Sequence, residues 1–477
     1  MKILLVTGRL AEKSVREIAN RFGLDVHVVD VDVAAFITPS HIRDLDLSGY
    51  DLVIVPGQAR GNWKKLEDEK GVKIRLGPIH FSDLPLVLEN LDRLELSHEI
   101  PACRLLSDIK REETLNLVDS LDDHKFKIGD VVVGGRAKIV AEIVDATELS
   151  NEELVEKISR YLESGADIID LGIPLEFELE DVRRVIKVAR DFCKALSIDT
   201  FSRRAIEVGV ELGVDMVMSV SYDNLDCSEL IDDETAVVAV ERNVEMLRKL
   251  VESLKGRTEK VIADPILDPP LRIFESLKRY WDYRRLDPNT PMLMGIGNVT
   301  ELIDADSIGI NAVMACIAEE IGVELLFTTE ASVKTRGSVK ELKVASYMAK
   351  ASKLKNTPPK DLGLNLLVLK EKVRLPSEDI KGKIVEAKEN TKFVRDPKGD
   401  FRIWIKDGKI VCEHEEVTIV GKNAKEIIDT IIRLDLVSRL DHAGYLGREL
   451  MKAEIALKLG KNYVQDEDLN FGIYTKH

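Results

Sequence analysis

Between residues 138 and 355 the chain alternates short apolar runs with amphipathic stretches in a steady rhythm. The runs IVAEIV (139–144), ADIIDLGI (166–173), LSIDT (196–200) and VDMVMSVS (214–221) have strand length and are bounded by polar or turn residues. AVVAVE (236–241), KVIADPIL (260–267), MLMGIG (292–297) and ELLFTT (324–329) repeat the pattern. Residues 151–163, 180–194, 244–255 and 307–321 place their apolar positions at helical spacing in the intervals. Eight strands in about 215 residues, mostly followed by helices, predict a closed (β/α)8 TIM barrel rather than an open sheet.

The flanks read differently. Residues 1–125 open with the strand-like runs 2–8, 25–33 and 51–57, with helical spacing over 12–21, so a Rossmann-like α/β domain is expected. The loop PGQARGNW (56–63) follows a strand, where open parallel sheets place ligands. No G-x-G-x-x-G accompanies it, so the first domain reads as scaffold rather than a dinucleotide site. FKIGDVVVGGR (126–136) has hairpin pattern around Gly129-Asp130 and is taken as the start of the barrel domain, 126–355. LKNTPPKDLG (354–363) reads as a linker. Residues 364–477 then form a C-terminal α+β domain. Its strands are expected in LNLLVLKEK (364–372) and around the Asp407-Gly408 turn within 401–421, and its helices over 423–438 and 445–460.

Composition narrows the function. With 44% hydrophobic and 32% charged residues the chain is globular, and no apolar run reaches the roughly 18 residues of a membrane span. A formal net charge of −16 opposes phosphate backbones and anionic membranes, and 5% aromatics leave little for base stacking. Nucleic acid and membrane are therefore not expected partners, while self-association stays open. The five cysteines are scattered, without a C-x-x-C pair, which fits a reducing, cytoplasmic setting and no cysteine zinc site.

Barrels of this kind keep their reactive groups at the carboxyl ends of the strands. Those positions hold Asp145, Asp170, Asp199, Ser219, Asp264, Asn298 and the Thr328–Glu330 stretch, and the barrel contains no histidine. Histidine acid–base chemistry is thereby removed. An acidic, amide-containing mouth suits either a divalent cation with oxygen ligands or a ligand rich in hydrogen-bond donors, and spacing does not choose between them.

Three segments do. LESGADIIDLG (162–172), LSIDTFSRRAIEVGVELGVDMV (196–217) and VIADPILDPP (261–270) resemble, in order and spacing, the signatures of dihydropteroate synthases and related pterin-binding barrels. The whole arrangement, with VPGQARGNW (55–63), RLGPIHFSDLP (75–85) and the tail 441–466, resembles archaeal dihydropteroate synthase-related proteins. The resemblance implies that Asp264 accepts the paired N–H donors of a pterin, as a carboxylate accepts a guanidinium fork. It implies that Asp199 contacts the pterin's other side, with Asn298, Asp170 and Ser219 around it. It also implies Mg²⁺ to screen a pyrophosphate leaving group. Glu142 and Asp145 stand where the family has a first-strand Asn and are the candidate ligands.

Departures matter as well. The family's Ser-Arg-Lys loop after the seventh strand is replaced by GIGNVTEL (295–302), which is more similar to pterin-dependent methyltransferases. After the eighth strand stands TEASVKTRGS (329–338), where Lys334, Arg336 and Ser338 at a helix start suggest a phosphate site, or else solvated loop charge. Three functions are thus expected in competition. One is a transferase joining hydroxymethyl-dihydropterin pyrophosphate to an arylamine in folate or methanopterin biosynthesis. The second is a pterin-dependent methyltransferase acting with a corrinoid protein, and the third a non-catalytic pterin-binding protein.

Overall fold

The computed structural model describes residues 1–372, 382–388 and 392–474, and its contacts divide the chain into two compact units, 1–378 and 379–477. The first unit opens with β1 (Ile3–Gly8), α1 (Glu12–Phe22), β2 (Asp25–Val29), β3 (Leu52–Val55), α2 (Trp63–Lys70), β4 (Lys73–Leu76), α3 (Leu84–Glu89) and α4 (Ala102–Asp119). The four strands form a parallel sheet in the order β2-β1-β3-β4. Every residue of β1 is buried, because helices and loops cover both faces of a parallel sheet, which is why its sequence is a continuous apolar run. β4 escaped the sequence reading: KIRL alternates only twice, with Lys73 out and Ile74 and Leu76 in.

A hairpin of β5 (Phe126–Ile128) and β6 (Val131–Val133) precedes the barrel. The barrel runs through β7 (Lys138–Ile143), α5 (Asn151–Ser164), β8 (Ile168–Gly172), α6 (Leu179–Arg190), β9 (Leu196–Asp199), α7 (Arg203–Glu211) and β10 (Met216–Val220). It continues with β11 (Ala236–Val240), α8 (Val244–Leu254), β12 (Val261–Asp264), α9 (Ile273–Leu286) and β13 (Leu293–Gly295). It ends with α10 (Gly297–Thr300), α11 (Ser307–Ile321), β14 (Leu325–Thr329) and α12 (Ser338–Lys355). All eight strands are parallel neighbours, and a parallel bridge between Ala263 and Met292 joins β12 to β13 and closes the ring. The expected α/β TIM barrel is the fold observed.

Alternate strand residues point inward. Val140, Ile168, Met216, Val238, Ile262 and Leu325 fill the interior, and their neighbours Ile139, Ile169, Val217, Ala239 and Leu326 pack under the helices. The hairpin supplies Ile128 and Val133 to the interior cluster, so it stoppers the barrel at the amino ends of the strands. Asp167 locks the same end: Arg136 donates to both its oxygens at 2.9 and 2.7 Å, and Lys343 and the Ile139 amide each donate at 2.9 Å. The acid-rich carboxyl ends are left as the mouth.

Residues 364–372 are not a strand. Leu362 is buried against Val118 and Ala351, its carbonyl accepts from the Thr114 hydroxyl at 2.7 Å, and Leu366 packs on the barrel's outer layer. No described strand pairs with the segment, and Leu367, Val368 and Leu369 stay exposed.

The second unit contains β15 (Arg402–Lys406), β16 (Lys409–Glu413), β17 (Thr418–Gly421), α13 (Ala424–Arg433) and α14 (Leu440–Leu459). Its strands form an antiparallel meander, and Asp407 and Gly408 both adopt positive φ in the first turn, as a two-residue hairpin with right-handed twist requires. Buried Asp396 accepts from the Lys398, Ser438 and Arg439 amides and the Ser438 hydroxyl, which fixes the approach to α14. His442, in the first turn of that helix, places Nδ1 3.2 Å from Asp396. Among the described residues no helix is long and apolar enough to cross a membrane.

Candidate functional site

The parallel register sets the acidic side chains level with one another. Glu142 of β7 pairs with Asp170 of β8, and Gly172 of β8 pairs with Asp199 of β9. Gly172 matters because a β-carbon there would come within 2.7 Å of the Glu142 carboxylate. The smallest residue thus gives Glu142 room to turn into the mouth. One oxygen from each of Glu142, Asp170 and Asp199 lies within 4.8 Å of the others.

Three carboxylates this close and this dry cannot all ionise cheaply. Burial, then the charges of Asp199, Glu301 and Asp145, push Glu142 up to about 8. Asp170 is fully buried, and burial followed by the Asp199 and Glu142 charges raises it well above the carboxylate range. The Ser197 hydroxyl donates to its Oδ1 at 2.5 Å, while its Oδ2 has no partner among the described residues. Burial also raises Asp199, against a hydrogen bond from Ser219 that favours its charged form. Ser219 itself sits at φ 63°, in the left-handed region unusual for a residue with a β-carbon. Asp145, at φ 50°, is exposed and lies outside the trio, although it lines the same cleft as Glu142 and Asp199.

Asp264 ends β12 on another side of the mouth. Its Oδ1 accepts from the Ile266 amide and lies 2.7 Å from the Tyr280 hydroxyl, which also stands 2.9 Å from the Leu293 carbonyl. No hydrogen bond from the described residues reaches Oδ2. Burial pushes Asp264 up to about 6, the bonds from Tyr280 and Ile266 pull it down, and the Asp199 charge raises it. Arg279 of α9 holds the following loop through the Pro265 and Ile266 carbonyls and Asp268. Sequence reasoning missed Tyr280 and Arg279. Their one-residue separation, sixteen and fifteen positions after Asp264, matches no motif and acquires meaning only when α9 folds back against β12.

Asn298, in α10, is exposed at the rim and donates to the Leu267 carbonyl at 2.8 Å. After β14 the three residues expected around an anion sit in different settings. Lys334 is exposed and paired with Asp304 at 2.9 Å, Arg336 is exposed, and Ser338 is buried 3.2 Å from the Asn311 amide nitrogen. The Val339 amide, one of the free donors at the start of α12, gives its hydrogen to Glu330 at 3.2 Å. A carboxylate thus already occupies part of that helix terminus.

A pterin binding enzyme family model matches residues 143–262, a family of unknown function (DUF6513) matches 1–79, and PterinBD-DUF4346 matches 395–466. Solved structures similar to this chain include a Yersinia pestis dihydropteroate synthase with a pterine-sulfa conjugate. It is 17% identical with a TM-score of 0.38, over 46% of this chain and 95% of that one. A Thermus thermophilus dihydropteroate synthase in complex with 6HMPPP is 18% identical, with a TM-score of 0.37, over 44% and 92%. A Ycf91-like protein of Nostoc is 49% identical over 62 residues, 12% of this chain and 48% of the relative. An uncharacterized protein of Methanocaldococcus jannaschii is 40% identical across 98% of this chain and 99% of its own. A match of that extent makes this chain a member of the same family as the Methanocaldococcus jannaschii protein, one whose barrel matches the pterin binding enzyme model.

Proposed function

We propose that the barrel mouth binds a reduced pterin and that the protein is a transferase of the dihydropteroate synthase type. The half-satisfied carboxylate of Asp264 carries this reading. Two donors fix one oxygen from behind, and the other is left to accept, so an ionised Asp264 is oriented in advance for a ligand presenting adjacent N–H groups. Asp199, tied to Ser219, takes the pterin's other side, with Asp170 beneath and Asn298 at the rim.

In the reaction, an arylamine nitrogen attacks the exocyclic methylene of the pterin as pyrophosphate departs with the C–O bonding electrons. The amine then loses its proton to solvent. Positive charge gathers at the methylene, and the carboxylates of the mouth stabilise it without forming a covalent intermediate. The oxygen donors of Glu142 and Asp170 fit a hard divalent cation, since the buried Asp170 Oδ2 lacks any other partner among the described residues. Mg²⁺ held there would supply charge neutralisation for pyrophosphate, with Asp145 at the edge of the same cleft. Lys334 and Arg336 contribute to the anion at the rim once Lys334 leaves Asp304.

A second reading is favoured by one feature, Asn298 projecting from α10 over the loop after β12. That placement suits an amide contact to a methylated pterin and a methyl transfer to a corrinoid protein. Incubating the full-length protein with hydroxymethyl-dihydropterin pyrophosphate and candidate arylamines tests the first reading. Pyrophosphate release that depends on the amine supports it. Calorimetric pterin binding without release, combined with demethylation of a methylated pterin by a corrinoid acceptor, supports the second.

A further inference from the structure

We infer that the N-terminal domain carries a second small-molecule site, a cleft for a neutral, flat heteroaromatic ring at the carboxyl ends of β1 and β3. The sheet order β2-β1-β3-β4 sends the chain in opposite directions from β1 and β3, and an open parallel sheet parts its loops at that point. A cleft of about 160 Å³, open to solvent on one side, lies there. Its floor is apolar, formed by the buried side chains of Leu5, Val15, Ile54 and Leu84. Close backbone packing frames it. A β-carbon on Gly57 would meet the Gly77 carbonyl at 2.6 Å, and one on Gly8 the Val31 carbonyl at 2.8 Å.

The donors that would cradle a phosphate are already used. In the turn after β1, the Arg9 and Leu10 amides donate to the Val31 and Asp32 carbonyls at 2.9 and 3.2 Å, and the Gly57 amide donates to Pro78 at 2.9 Å. The Arg9 guanidinium bridges Asp30 and Asp32. These engaged groups are the ones nearest the turn after β1, where open sheets of this kind usually anchor a phosphate. The cleft offers instead the Thr7 hydroxyl, 2% exposed, whose one bond among the described residues is a 3.5 Å contact with the Gly8 carbonyl. The walls are largely apolar or aromatic, including the tilted pair His80 and Phe81 with ring centroids 4.4 Å apart, and they also carry Gln58 and Asp32, the latter paired with Arg9. A slot of this size, with an apolar floor, the buried Thr7 hydroxyl and the Gln58 amide at its wall, matches a ring with a hydrogen-bonding edge, such as a nucleobase.

The experiment uses the full-length protein and two probes that lack the pterin's paired donor edge, adenosine and lumichrome, with AMP as the charged comparison. Binding is read by saturation-transfer NMR and calorimetry. The expected result is one-to-one binding of at least one ring, with AMP no tighter than adenosine. Binding should be abolished by Ala35→Trp, which fills the cleft wall, and weakened about five- to tenfold by the near-isosteric Thr7→Val. It should persist in Asp264→Asn, which separates this cleft from the barrel mouth. Circular dichroism and melting curves confirm that each variant folds. The inference is overturned if no ring binds, if binding survives Ala35→Trp in a folded protein, or if AMP binds more than tenfold tighter than adenosine.

Discussion

Two carboxylates at the mouth make opposite demands on pH. Asp264, pushed up to about 6, must be ionised to accept both donors of a pterin. Pterin affinity should therefore rise as pH passes upward through 6 and weaken about tenfold for each unit below it. Asp264→Asn should abolish this dependence and cost about 2–5 kcal/mol at pH 8, because it sets a donor against a donor in a dry pocket. Calorimetric titration of a reduced pterin from pH 5 to 8 into both proteins measures each effect. Glu142, raised to about 8, acts on stability. Below about 4.5 both folded and unfolded chains hold its proton; above that the unfolded chain releases it while the fold retains it. Its contribution to stability is accordingly lost as pH rises from 4.5 through 8. In chelator-treated protein, Glu142→Gln should be the more stable form at pH 8.5 by about 2–4 kcal/mol and match wild type at pH 4. Urea unfolding at both values decides it, and equal stability at pH 8.5 would mean Glu142 is not held in a carboxylate cluster. The acidic positions themselves were readable at the residue scale, since each lies within, ends or follows an apolar run. Which of them meet was not: Asp167 and Asp170, three apart in one segment, go to opposite ends of the barrel.

The hairpin of β5 and β6 shows how an element gains its role from what it packs against. Its turn was legible from Gly129-Asp130 amid valines, but as a boundary marker it had no evident purpose. In the structure Gly129 takes φ 53°, and a β-carbon there would meet the Lys194 carbonyl at 2.4 Å. Gly129→Ala should lift the hairpin from the barrel floor, uncover Ile128, and destabilise the first unit by about 2–4 kcal/mol. Pterin affinity should change less than stability, because the mouth lies at the other end of the strands. Thermal melts read alongside pterin titration test this, and a variant as stable as wild type would show that the hairpin does not plug the barrel. Residues 364–372 teach the reverse lesson. Their leucine-rich run has strand composition, yet a strand needs an edge to pair with, and what the segment finds instead is a surface for Leu366, just after the buried Leu362.

At the scale of the molecule, two compact units imply separable folding. The second has its own core, in which Ile403, Ile410, Cys412, Ile427, Ile431 and Leu450 pack together. Residues 379–477 expressed alone should give helix and strand signals by circular dichroism and a single cooperative melt. Removing Asp396 as Asp396→Ala should lower that melting temperature, because three donors before α14 and the Lys398 amide lose their shared acceptor. A non-cooperative melt of the isolated piece would show that it depends on the rest of the chain.

What the sequence determined by itself was periodicity and its consequences. A buried parallel strand must be apolar on both faces, a helix against it must be amphipathic, and eight such units of this length close into a ring. The barrel, the carboxyl-end location of its acids and the family resemblance were legible for that reason. What only the tertiary structure decided was proximity. The side chains of Glu142, Asp170 and Asp199 share one volume because strand register levels them, and Tyr280 reaches Asp264 because α9 folds back along β12. The cleft over β1 and β3 exists because the chain reverses direction there. Register, reversal and closure are set by the packing of segments distant in sequence, and no local pattern of residues encodes them.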